Sequence, residues 1–253
     1  MRGSLLRKEF RECRWRWIGA AIALLLTAIS LPPMFGFLGA LLGGVELPGF
    51  IGRSLTGQLE DYSTYLWMNW YGKNLFQIVL VVAAILGGSA LPAERSRGSL
   101  DFLLSLPVSR GTVFWSKYAA GLLALWGLIA ASTLLLIGPL SWASGYTPEF
   151  VHFLSALPIN FAGAALLYGI AWRMGIVSRE PLVSTVIGGG IGVGIILVGS
   201  LFPGLRTLSL AHHMAAAGSF QRGAVDWLAV AIIFAIALVL AIWSARSFER
   251  ARF

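Results

Sequence analysis

Six long apolar runs alternate with short polar breaks along the 253-residue chain. They cover about 17–42, 75–91, 113–140, 151–174, 182–202 and 227–245. Each is close to the ~20 residues that an α-helix needs to cross a bilayer, so the pattern predicts six transmembrane helices. Pro32 and Pro33 fall inside the first run, and Pro158 predicts a kink near the start of the fourth. The first run is too long for a secretory signal, whose apolar region is 7–15 residues. It reads as a retained helix, followed by five more.

One interruption stands apart. The stretch LPAERSRGSLDFLLSLPVSRGTVFWSK, Leu91 to Lys117, is charged, broken by Gly98 and stopped by Pro107. Ser99 and Asp101 suit the first turn of a helix. Leu100, Phe102, Leu103, Leu104 and Leu106 give it an apolar face, and Pro107 disfavours helical Leu106. Ser109 then suits the cap of the next helix. A short helix with an exposed apolar face needs a surface to bury against: its own lipid interface or bundle, or a partner's groove, where docking would pass a movement into the spans.

Composition supports the membrane assignment. The chain is 57% hydrophobic and 12% charged, against about 25% charged in a soluble domain, and mean hydropathy is +0.79. The expected fold is an all-α integral membrane protein, one domain over 1–253. The net charge of +8 reads as membrane anchors flanking the apolar runs, not as a nucleic-acid surface. Fifteen Lys and Arg fall on one side of the predicted topology and four (Arg53, Lys73, Arg206, Arg222) on the other. The positive-inside bias then places both termini in the cytoplasm of a multi-pass protein of the plasma (inner) membrane.

The segment 1–17 predicts an interfacial helix, with Leu6, Phe10, Cys13 and Trp17 on one face and basic residues around the rest. Two outer loops are expected, 45–74 and 203–226. The first is rich in Tyr and Trp and reads as a partly helical segment at the membrane interface. Cys13 is the single cysteine, so no intramolecular disulfide forms.

Candidate chemistry within the chain is sparse. No G-x-x-x-x-G-K-[ST] phosphate loop occurs. GGGIGVG, Gly188 to Gly194, looks superficially like a dinucleotide loop but lies mid-span. Gly188 with Gly192, and Gly190 with Gly194, instead give small-xxx-small spacing for close helix packing. His212 and His213 are adjacent, so their side chains diverge on a helix and no metal site is expected. Ionisable groups are nearly absent from the span interiors, which disfavours an ion-coupled carrier.

ERSRGSLDFLLSLPVSR closely resembles the E-x-x-x-G-[ST]-L-x-x-L-L-[ST]-x-P-[VI]-[ST]-R signature of ABC-2 type transporter permeases. The match falls on Glu94, Gly98, Ser99, Leu100, Leu103, Leu104, Ser105, Pro107, Val108, Ser109 and Arg110. An outer F-x-R-G-x-x-D pattern, Phe220, Arg222, Gly223 and Asp226, resembles the gliding-motility and nitrous-oxide-reductase maturation branch, with His213 as its expected upstream histidine. The resemblance implies an exporter-type membrane domain whose cytoplasmic coupling helix, within 93–111, docks on a separate ATPase. Glu94, Arg97, Leu100, Phe102, Leu103, Leu104, Pro107 and Arg110 would serve that docking. It further implies two ATPase subunits carrying ATP and Mg, a second permease chain (identical or a sister), no cofactor or metal in this chain and no catalysis of its own. A scaffold of the same fold that transmits force without moving a substrate is the alternative; an ion-coupled carrier is the more distant one.

Overall fold

The computed structural model describes residues 14–42, 61–100 and 109–250, and every regular element among them is helical. Six helical stretches are long and apolar enough to cross a membrane: Arg14–Leu41, Tyr62–Ser96, Arg110–Ala143, Phe150–Val177, Pro181–Gly199 and Trp227–Arg250. They are numbered here as the first to sixth spans. The predicted interfacial helix 1–17 falls largely on residues outside the described ones, as do the first part of the loop 45–74 and the middle of the segment 93–111.

The fourth span is the hub. It packs against the second, third, fifth and sixth, while the first lies against the second and third. Small residues explain the closeness. A Cβ on Gly87 would stand 2.7 Å from the Tyr168 carbonyl oxygen, and one on Gly88 would stand 2.8 Å from the Thr185 Cα. Ser184, fully buried, donates to the Gly88 carbonyl at 2.6 Å. With no hydrophobic drive between helices in lipid, such close backbone contact and interhelical hydrogen bonding supply the association.

The second span corrects the expected loop 45–74. It begins at Tyr62, not near Leu75, with the Asp61 carboxylate accepting from the Thr64 amide at 2.9 Å. A π-turn at Trp70–Asn74 joins its two α-helical parts, Tyr62–Asn69 and Leu75–Ser96. The aromatic residues are not an interfacial belt. Tyr62, Tyr65, Trp70 and Tyr71 are buried, and each polar end has a partner inside the bundle. Tyr62 pairs with the Ser141 hydroxyl at 2.7 Å, Trp70 donates to Thr133 at 3.0 Å, and Tyr71 donates to the Phe153 carbonyl at 2.9 Å. The large apolar rings gain burial only because those partners exist.

Prolines mark the other irregularities. The third span passes through a π-turn at Leu136–Leu140 containing Pro139, and the Ser141 hydroxyl donates to the Leu136 carbonyl at 2.7 Å. The fourth span breaks at Ala156 next to Pro158, as the sequence predicts. Beside the break, the Asn160 side chain donates to the carbonyls of Ala156 at 2.9 Å and Met214 at 3.0 Å. Side chains thus add hydrogen bonds to carbonyls beside each break, where an apolar medium supplies none.

The expected loop 203–226 is structured. A 3₁₀ turn (Pro203–Leu208) and two short helices, Leu210–Met214 and Ala217–Arg222, fold back over this end of the bundle. This end is called distal; the end carrying Arg14, Arg110 and Arg250 is called basal.

Candidate functional site

The two ends of the signature stretch are tied into the basal end by several contacts. Glu94 and Lys117 form a buried ion pair that joins the second span to the third. Arg95 reaches the Ile176 carbonyl on the fourth span at 3.4 Å. Gly98 adopts φ 68°, the left-handed region that glycine enters without steric cost, and its amide bonds the Arg95 carbonyl at 3.0 Å. The Ser99 hydroxyl donates back to the Glu94 carbonyl at 3.3 Å. On the far side, Ser109 caps the third span, accepting from the Thr112 amide at 3.2 Å. Arg110 donates to the Glu249 carbonyl on the sixth span at 3.3 Å.

Below these ties sits an aromatic cluster. Phe114 stacks on Tyr118 at 5.7 Å and meets Trp172 and Phe248 at 5.8 Å each. It welds the third, fourth and sixth spans together, so a push on either end of the stretch meets a stiff body.

The expected docking residues therefore divide. Arg97 and Arg110 are exposed. Glu94 and Leu100 are buried, at 9% and 0% exposure, and turn inward at the base of the stretch. A carboxylate in an apolar bundle is retained where a cation neutralises it, and Lys117 does so here. Phe102, Leu103, Leu104 and Pro107 lie outside the described residues.

The glycine motif also divides. A Cβ on Gly188 would stand 2.8 Å from the Ala171 Cα, and Gly192 packs against Leu80 and Leu167. Gly190 and Gly194 are exposed, and a Cβ on either would meet nothing within 4 Å. The close contacts at Gly87, Gly88, Gly175 and Ser184 were not singled out in the sequence, although the Gly87–Gly88 pair mid-span was a readable signal.

At the distal end the F-x-R-G-x-x-D residues form one turn. Phe220 is buried, stacked on Trp67 at 5.2 Å and edge-on to Phe153 at 5.2 Å. Arg222 donates to the Gly218 carbonyl at 2.9 Å. Gly223 takes φ 60°, and a Cβ there would stand 2.6 Å from the His152 ring. Asp226 accepts from the Ala229 amide at 3.2 Å, capping the sixth span. The histidine beside Phe220 is His152, at 5.6 Å, paired with Glu149 at 2.6 Å. His213 instead bonds the Thr207 carbonyl at 2.7 Å. Burial, together with neighbouring His213 and Arg206, pushes the His212 imidazole below its ordinary pKa. Among the described residues no three His, Cys, Asp or Glu gather as a metal site would need.

Comparison with known proteins agrees with this architecture. A family model described as ABC-2 family transporter protein matches residues 4–252. Over 104 residues the chain is 36% identical to a probable ABC transporter permease, YtrC, of Bacillus subtilis (strain 168). That match covers 39% of this chain and 29% of the relative's length.

Proposed function

The chain belongs to the ABC-2 transporter family, and on that premise we propose that it is the membrane-spanning subunit of an ATP-driven exporter. The observation that carries this reading is the way the signature stretch is fastened at the basal end. Its two ends engage the third, fourth and sixth spans through Lys117, Ile176 and Glu249. A force applied between Gly98 and Ser109 would reach the bundle as a rigid-body movement, not as bending of a loose loop.

In this reading the basal end faces the cytoplasm, and residues within 93–111 form a coupling helix. Phe102, Leu103 and Leu104 enter a groove on an ATPase subunit, with Arg97 and Arg110 at the rim. Two ATPase copies bind ATP and Mg, and their closure drives two permease chains, identical or sisters, between inward and outward access. Residues 1–17 lie along the inner surface of the membrane. The chain supplies no catalytic group; its work is mechanical.

The test is Leu103→Asp combined with Leu104→Asp. Charging the apolar face should abolish co-purification of the ATPase while the permease still inserts in the membrane. An intact complex with both aspartates present would remove this surface from the proposal.

A further inference from the structure

We propose that a distal pocket between the second span and the segment 199–217 binds a single-tailed amphiphile carrying one anionic group. The cavity measures about 410 Å³, within the ~300–1,000 Å³ typical of small-molecule sites. Its deep wall is apolar. Met68, Gly72 and Phe76 follow one another at four-residue spacing across the π-turn. There is free space at Gly72, where a Cβ would meet only the Trp67 carbonyl, at 3.8 Å.

The wall is also fixed in place. The Trp67 indole donates to the Ala215 carbonyl at 2.8 Å and stacks on Phe220. An apolar ligand would meet a surface that needs no reordering, which lowers the entropic cost of binding.

The opposite side has a different character. Arg206 and His212 line it and are exposed, and Arg206 forms no ion pair among the described residues. His213, the neighbour that could compete for a ligand, is held by the Thr207 carbonyl. A guanidinium with no counter-ion among the described residues, lining a largely apolar cavity, favours a ligand with one negative head and one apolar tail. Arg206 supplies the charge and His212 a further hydrogen-bond group. The limited volume favours one tail over two. A carboxylate and a phosphate both meet this description.

The experiment uses the full-length chain in nanodiscs of zwitterionic lipid, without ATPase or nucleotide, so its outcome is independent of the coupling proposal. A fatty acid with a diazirine in its tail is photo-crosslinked, and the labelled peptide is mapped. Labelling is expected within 67–76. Dodecanoate and dodecyl phosphate should each compete about tenfold more strongly than dodecylphosphocholine, and inorganic phosphate alone should not compete. Arg206→Gln should erase the preference for the anionic heads, Arg206→Lys should keep most of it, and Met68→Trp should block labelling by filling the cavity. Labelling elsewhere, equal competition by the zwitterionic head, or a preference that survives Arg206→Gln would overturn the assignment. If Arg206→Lys loses the preference as fully as Arg206→Gln, charge is not what this side of the pocket reads, and the proposal fails.

Discussion

A buried carboxylate and a buried ammonium are each tolerated only through the other. Glu94 and Lys117 are such a pair, 9% and 5% exposed, and the second carboxylate oxygen of Glu94 has no hydrogen-bond partner among the described residues. An incompletely satisfied pair adds little net stability over an apolar replacement, while removing one member strands a charge. Lys117→Met or Glu94→Met alone should therefore destabilise the purified protein by about 3–5 kcal/mol. The double change Glu94→Met/Lys117→Met should be less harmful than either single one. Thermal unfolding in detergent reads all four proteins; additive losses in the double variant would show that the pair is not coupled. The pair also bears on function, because the double variant keeps the fold but releases the second span from the third. On the coupling proposal, stimulation of the partner ATPase should then weaken in the double variant.

Between helices, the same spacing of small residues leads to two outcomes within one span. Gly188 lies against the Ala171 backbone, while a Cβ on Gly190 would meet nothing within 4 Å. Gly188→Val should cost about 1–3 kcal/mol through overpacking, and Gly190→Val should stay within about 0.5 kcal/mol, both read as shifts in the unfolding midpoint. Equal effects would mean that the fifth span is rotated from its place here. The contrast also marks how far the sequence could be read. Small-xxx-small spacing is legible in one dimension, but which of two interleaved stripes meets a neighbour depends on how the helix is rotated, and that is set by the contact of Ser184 and Thr185 with Gly88 on the second span. The aromatic residues 62–71 misled for a similar reason. Tyr and Trp serve equally at an interface and in a core with polar partners, and the deciding partners, Thr133, Ser141 and Phe153, lie far away in the chain. The span count, the break near Pro158 and the Ser109 cap were legible because each follows from local chemistry.

For the whole molecule, the decisive property is which end faces the cytoplasm. Among the described Lys and Arg, Lys73, Arg206 and Arg222 lie toward the distal end and the other ten toward the basal end. Arg173 follows the same bias even within a span. It sits in the last two turns of the fourth helix, with its guanidinium 4.2 Å from the centre of the Trp243 ring, an arrangement in which a long cation shelters on an aromatic face near the membrane boundary. The bias of basic residues toward the side from which the chain is inserted predicts a cytoplasmic basal end. Thr147 offers a clean reporter at the other end. It is exposed, in the connection between the third and fourth spans. In a Cys13→Ala background, Thr147→Cys should react with a membrane-impermeant maleimide in intact cells, whereas a cysteine at exposed Arg179, in the connection between the fourth and fifth spans, should react only after lysis. The reverse pattern would invert the molecule. It would also place Arg97 and Arg110 outside the cell, where no cytoplasmic ATPase could reach them, so this measurement decides the premise on which the coupling proposal stands.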